Sequence, residues 1–117
     1  MEKIDRYSTL LSLLAETSTN TEETRKAILI SADARLIRII SEISLNILHG
    51  KLPITSYYKR KLSGEADTIR RLSSNQLKHT GKRKLCYLKA NVIGLMLKSV
   101  LQHILALIES DPKFFFG

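Results

Sequence analysis

The side chains best suited to chemistry in this 117-residue sequence are cationic and lie in one segment. Residues 59 to 89 contain ten Lys and Arg but only Glu65 and Asp67 as acids, a balance that equals the formal net charge of +8 for the whole chain. Long cationic side chains spaced along helices can neutralise successive phosphates, which gives salt-sensitive binding without sequence readout. Ten residues are therefore predicted to bind double-stranded DNA: Lys59, Arg60, Lys61, Arg70, Arg71, Lys78, Lys82, Arg83, Lys84 and Lys89.

Two other interpretations of these cations remain open. They could form a solvated helix face that keeps the protein in solution, or residues 82 to 84 could be a nuclear import signal. The depletion of acids across the same segment favours phosphate binding.

Direct recognition of bases is a weaker prediction. Asn75, Gln76 and Asn91 could reach base edges, but no recognition helix stands with its partner helix and turn at the expected spacing. Three tyrosines near the cations could stack on bases, although packing in a helical core is favoured: Tyr57, Tyr58 and Tyr87.

Patterns typical of enzymes and metal sites are absent from the sequence. The three histidines and Cys86 are scattered and form no familiar zinc spacing, and no triad arrangement or glycine-rich phosphate loop occurs. Lys84 and Lys89 could activate Cys86, but a small buried thiol on an apolar face is the favoured interpretation. We therefore predict a protein that is not an enzyme and has no cofactor, metal site or small-molecule substrate.

Residues 90 to 108 are strongly apolar and carry one formal charge, Lys98. Their length would span a bilayer, but Lys98 and nearby polar residues make that unfavourable. A helix apolar on nearly all sides needs a protein core, an oligomer interface or a membrane surface. We predict a homo-oligomer formed through Leu97, Val100, Leu101, Ile104, Leu105 and Ile108. An anionic membrane surface is a third candidate partner, because basic residues precede this segment.

Apolar spacing predicts the helices that must position these side chains. A first helix ends before the polar run at residues 17 to 21, and Asn20 with Glu23 forms a capping box for a second helix that begins near Thr21. Asp33 either caps a further helix or lies within the second. Residues 36 to 48 form the best-defined helix, and Gly50 is placed to adopt the left-handed conformation after it.

Pro53 then forces a turn, and Thr55 or Ser56 caps a helix that carries apolar residues to position 72. Thr80-Gly81 is predicted to interrupt the helical structure, and a single long helix is predicted to follow from Lys82 to about Ser110. No segment alternates with the period of a strand. The sequence therefore predicts an all-α compact bundle of four to five helices in one domain, residues 1 to 117. Within it, residues 1 to 54 form a near-neutral helical module, 55 to 89 a basic helical segment, and 90 to 117 an apolar C-terminal helix and tail.

A set of short motifs also resembles a known family. The motifs are Arg25-Lys26-Ala27-Ile28-Leu29, Leu36-Ile37, Ile40-Ser41-Glu42, Asn46-Ile47-Leu48, Gly50 and Leu52-Pro53-Ile54-Thr55, continuing through Lys59 to Lys61, Arg70 to Leu72 and Lys82 to Leu85. Together they are similar to small basic proteins of adenovirus-related double-stranded DNA viruses and Maverick/Polinton-type elements. A Lys/Arg-rich stretch before an apolar C-terminal segment is also similar to the adenovirus core protein precursor that condenses DNA.

The resemblance covers roughly residues 21 to 108 and implies a DNA-packaging protein of the virion or the host nucleus. Ala90-Asn91 stand where that family often has paired glycines, and the basic stretch is less dense here. Both departures argue against strong DNA condensation and leave a folded, oligomerising role open. An intracellular protein is otherwise expected, because Glu2, Asp5 and Arg6 interrupt the start of any signal peptide. The alternative function is a helical scaffold whose basic face only aids solubility.

Overall fold

Seven α-helices and one short 3-10 turn make up the part of the chain that the computed structural model describes, residues 2 to 16 and 21 to 110. Side chains are described for residues 7 to 16 and 21 to 106. The helices are α1 (Glu2–Ala15), α2 (Glu22–Ile30), α3 (Ala34–Leu48), α4 (Ser56–Leu62), α5 (Ala66–Ser73), α6 (His79–Leu88) and α7 (Ala90–Ser110), with the 3-10 turn at Ser63–Glu65. No strand occurs in these residues, and the predicted all-α bundle is confirmed.

Polar side chains define where two of the helices begin. Thr21 Oγ1 accepts a hydrogen bond from Thr24 N at 3.2 Å at the start of α2, so the threonine caps this helix in place of the predicted box with Asn20, which lies outside the described residues. Asp33 Oδ1 accepts from Leu36 N at 2.8 Å. Asp33 therefore caps a separate helix, α3, which was one of the two predicted alternatives; the other placed it within the second helix.

The turn after α3 follows the predicted chemistry. Gly50 has a φ of +69°, and it is the one positive-φ residue of the described chain. This left-handed conformation is accessible to glycine at little cost and ends the helix. Thr55 then caps α4, its Oγ1 accepting from Tyr58 N at 3.5 Å.

The second half of the chain forms more and shorter helices than predicted. Gly81 lies inside α6 and does not break it: a Cβ there would lie 2.7 Å from Leu77 Cδ1, so the glycine makes room for Leu77 beside the first turn. The prediction of one helix from Lys82 to Ser110 is wrong, because helical geometry is interrupted at Lys89 between α6 and α7. The interruption lets α6 pack against α2 and α3 while α7 packs against α1.

One hydrophobic core joins all three segments of the sequence. The pairs α1 with α7, α3 with α5, and α2 with α6 make the most extensive contacts. Leu11 from α1, Ile40 from α3 and Ile93 from α7 are all completely buried in this core. The near-neutral N-terminal helices therefore pack directly on the basic and apolar segments.

The burial of α7 corrects the predicted oligomer interface. Leu97, Val100 and Ile104 are at most 1% exposed and belong to the core of their own chain, so they are not available to a second copy. Leu101 and Leu105 are half-buried, and the side chain of Ile108 lies outside the described residues. The physical reason is that the polar residues of α7 share one face at helical spacing: Asn91, Lys98, Gln102 and His103 are all exposed.

A buried arginine ties the N-terminal helices to the start of α7. Arg25 is only 7% exposed. Its Nη1 donates to the carbonyl oxygen of Glu16 at 3.0 Å, and its Nη2 donates to Asn91 Oδ1 at 2.8 Å. Asn91 Nδ2 donates in turn to Glu22 Oε2 at 2.9 Å. Asn91 therefore serves a structural contact between helices and is already engaged at both ends of its amide.

Candidate nucleic-acid interface

The ten predicted DNA-binding residues differ in their exposure. Lys82 and Arg83 are half-buried. The other eight are exposed, and we call them the exposed cation set: Lys59, Arg60, Lys61, Arg70, Arg71, Lys78, Lys84 and Lys89. These eight come from α4, α5, the α5–α6 connection, α6 and the residue that follows α6.

The acids of the chain do not neutralise these cations. In residues 7 to 16 and 21 to 106, none of the ten has a carboxylate oxygen within 4.0 Å of its charged nitrogen atoms. By contrast, Lys26 Nζ on α2 lies 3.3 Å from Glu22 Oε1. No carboxylate of the described residues therefore neutralises these cations, and the charge of the exposed cation set faces solvent.

Helix α4 carries three cations and an aromatic pair, and one of the cations contacts one of the rings. Consecutive residues of a helix project about 100° apart, so Lys59, Arg60 and Lys61 cannot all face one direction. Lys61 Nζ lies 5.0 Å from the centre of the Tyr57 ring, a cation–π contact. Tyr57 is 53% exposed and meets the ring of Tyr58 edge-on, with 5.1 Å between centroids. The expectation that Tyr57 packs in the core is wrong, because α4 turns this ring outward.

Lys82 is the first of the two cations that the fold uses internally. Its Nζ donates to Ser41 Oγ on α3 at 2.8 Å, and the Ser41 hydroxyl donates to the carbonyl oxygen of Leu72 at the end of α5 at 2.7 Å. Burial lowers the pKa of the Lys82 ammonium, against the opposing fields of Glu42 and Cys86. Lys82 therefore joins three helices in addition to carrying charge.

Arg83 is the second cation that makes a contact within the fold. Its Nη2 lies 2.7 Å from His79 Nε2, one turn earlier on α6. Arg83 and Lys84 line a small cleft of about 210 Å³ with Tyr87 and with Ile30 of α2, whose side chain is 61% exposed. Tyr87 is half-buried, so the predicted core role holds for only part of its surface.

Two cations outside the predicted set lie close to it in the fold. Lys26 Nζ lies 5.2 Å from the centre of the Tyr87 ring. Arg38 of α3 is exposed and lines a cleft together with His79 and Lys82. Both residues come from the near-neutral half of the sequence, where the balanced total charge did not indicate a cationic surface. Arg38 lies on the polar face of α3, opposite its apolar stripe, so the sequence pattern could predict that it faces solvent. The pattern could not predict which residues lie beside it in the fold.

Cys86 has no features of a reactive thiol. It is completely buried, as predicted, and burial raises its pKa to about 12, although the Lys82 charge acts in the opposite direction. A protonated, enclosed thiol is a poor nucleophile. In the described residues, no three His, Cys, Asp or Glu side chains come together as a metal site.

An apolar groove lies on another part of the surface, between the end of α3 and helices α4 and α5. Its volume is about 410 Å³, and its lining includes Ile47, Leu52, Ile54 and Ile69, with Lys59 the sole charged member. Within residues 2 to 16 and 21 to 110, no helix combines the length and hydropathy needed to cross a bilayer.

Comparison with protein-family models, with curated proteins and with solved structures gave no match to this chain.

Proposed function

We propose that the chain binds double-stranded DNA through phosphate contacts and without sequence specificity. The observation that supports this is the exposed cation set, eight side chains with no carboxylate within ion-pair distance in the described structure. Concentrated positive charge raises the local density of polyanions and speeds their association. We assign these contacts to the phosphate backbone, because long cationic side chains bind phosphates without reading base sequence.

A salt titration tests the mechanism. Fluorescence anisotropy of a mixed-sequence duplex with unphosphorylated ends would be measured from about 50 to 200 mM NaCl. The logarithm of affinity is expected to fall linearly with the logarithm of salt concentration, with a slope of about −0.9 per phosphate contact. Eight contacts give a slope of about −7, and contacts by half of the set give about −3.6. A slope shallower than about −2, or a strong preference between two duplexes of unrelated sequence, contradicts the proposal.

Single charge variants assign the effect to the surface. Arg70→Gln removes an exposed cation of the set, and we expect it to reduce the magnitude of the salt slope by about 1. Lys51→Gln removes the same charge from an exposed position in the turn after α3, outside the set. If the two variants change the slope equally, only net charge matters and the assignment to residues 59 to 89 is wrong.

The resemblance to small basic proteins of adenovirus-related viruses and Maverick/Polinton-type elements extends this proposal to DNA packaging in a virion or host nucleus. Packaging requires many copies on one duplex. Sedimentation of the protein with long DNA would then show saturation at a dense, regular coverage, whereas a few isolated sites per duplex would contradict packaging.

A second candidate function is a helical scaffold, favoured by the apolar groove beside α4. Apolar surface of this kind is typical of protein-interaction sites. Size measurement with and without DNA separates the two functions. Full oligomerisation without DNA, combined with no DNA binding near physiological salt, would support the scaffold.

A further inference from the structure

A polar cleft separate from the apolar groove lies between α3 and the α5–α6 connection. Its volume is about 310 Å³. The side chains that give it its chemistry are Arg38, Ser41, Asn75, His79 and Lys82, together with one acid, Glu42. Hydrogen-bond donors from three parts of the sequence therefore converge on one concave site.

The cationic groups of this cleft retain unused donors. In the described structure the Lys82 ammonium has one hydrogen-bond acceptor, Ser41 Oγ at 2.8 Å, although an ammonium carries three N–H groups. Arg38 has no acceptor among the described residues. A guanidinium can only donate, so the 2.7 Å contact from Arg83 makes His79 Nε2 the acceptor and leaves Nδ1 as the protonated nitrogen of the ring.

We propose that this cleft binds a phosphate monoester or inorganic phosphate. A planar guanidinium can hold two phosphate oxygens, and the ammonium and imidazole N–H groups can serve the third. A monoester or inorganic phosphate presents at least three unesterified oxygens and a charge of about −1.5 to −2 at neutral pH, so it can use the donors of Arg38, Lys82 and His79 together, whereas an internal DNA phosphate has two such oxygens. Glu42 lies in the same cleft and opposes an anion, so it lowers affinity. The inference goes beyond the proposed DNA binding and does not require it.

Calorimetric titration with sodium phosphate, against sodium chloride at equal ionic strength, tests the site. We expect saturable binding to phosphate only. Arg38→Met should weaken it about tenfold, because a charge-assisted bidentate contact is lost. Glu42→Gln should tighten it about twofold to fivefold by removing the repulsion. Arg38 is exposed, so its variant should fold normally, and Lys51→Met is the matched control with no expected effect.

Two further probes identify the source of the phosphate. An oligonucleotide with a 5′-phosphate is compared with the same oligonucleotide ending in a hydroxyl, and a nucleoside 5′-monophosphate is compared with its nucleoside. A preference for the phosphorylated member of either pair that Arg38→Met removes supports the proposal. Absence of saturable phosphate binding, or unchanged affinity in both Arg38→Met and Glu42→Gln, overturns it. Neither result alters the salt slope measured with unphosphorylated duplex, so the two proposals fail independently.

Discussion

Replacement of Gly94 by alanine tests the contact between α1, α2 and α7 directly. A Cβ at residue 94 would lie 2.9 Å from the carbonyl oxygen of Leu14 and 2.9 Å from Arg25 Cδ. The arginine side chain can shift, but the Leu14 carbonyl belongs to the backbone of α1. The added methyl group therefore requires α1 and α7 to separate at Leu14, and it also requires the Arg25 side chain to shift.

Two opposing effects set the size of the change in stability. Overpacking a core typically costs about 1 to 3 kcal/mol. We expect a cost of about 2 to 3 kcal/mol here, because one clashing atom is backbone and the other belongs to a hydrogen-bonded arginine. Alanine in place of a glycine inside a helix gains about 1 kcal/mol. We expect a net loss of about 1 to 2 kcal/mol in the free energy of unfolding.

Urea unfolding followed by helical circular dichroism measures this loss. Gly64→Ala is the matched control, because a Cβ at Gly64 would meet no atom within 4 Å. That variant should be unchanged or up to about 1 kcal/mol more stable through the reduced freedom of the unfolded chain. If Gly94→Ala proves as stable as the parent protein, α1 and Arg25 do not lie against Gly94 as the structure has them.

Two more predictions concern polar groups in the fold. Asp33→Ala should lower the free energy of unfolding by about 2 to 4 kcal/mol, because it removes both the cap of α3 and the acceptor of the buried Tyr7 hydroxyl at 2.7 Å. Asp33→Asn, which keeps an acceptor, should lose clearly less in urea unfolding, and equal losses would contradict this role. Stability should fall between about pH 9 and 12, by up to about 1.4 kcal/mol per unit, because the unfolded Cys86 thiol ionises while burial holds the pKa of the folded thiol at about 12. Urea unfolding across this range should show a weaker pH dependence in Cys86→Ala, and identical curves would refute it.

Helix α3 shows what the sequence could predict. Its apolar stripe and the glycine at position 50 are local signals that agree with one another, whereas the cap at Asp33 was one of two alternatives that the sequence left open. Ser41 and Arg38 could be placed on this helix from the same pattern. What they contact could not be predicted, because Lys82 is distant in sequence and reaches Ser41 only in the folded chain.

The C-terminal half shows where local signals fail. Lys89 carries no feature of a helix breaker, yet α6 ends beside it: α6 and α7 both contact α2, but α6 also packs on α3, whereas α7 packs mainly on α1. Gly81 has the type of a breaker but lies within a helix, where its missing side chain admits Leu77. In both positions tertiary packing overrides intrinsic preference.

The exposed cation set was predictable as a surface, whereas its exceptions were not. Hydropathy and charge place long cationic side chains in solvent, which is correct for eight of the ten. Lys82 donates to Ser41 and lines the polar cleft together with Arg38 from the other half of the sequence. Arg83 instead contacts His79 and lines the small cleft beside Lys84. The predicted binding residues therefore divide into eight exposed cations and two cations that make contacts within the fold, a division that sequence alone could not predict.

The contacts made by Glu22 and Asp33 also favour an anionic partner for the exposed cation set. Glu22 accepts from Asn91 and pairs with Lys26, and Asp33 caps α3 and accepts from Tyr7. These carboxylates hold helices together in the near-neutral half and leave the exposed cation set uncompensated. A face that needed only to be soluble would gain from interspersed acids, because a block of like charges repels itself. Instead, the carboxylates of Glu22 and Asp33 make structural contacts, and the exposed cation set has no carboxylate partner among the described residues, which is the division expected if that set binds phosphate.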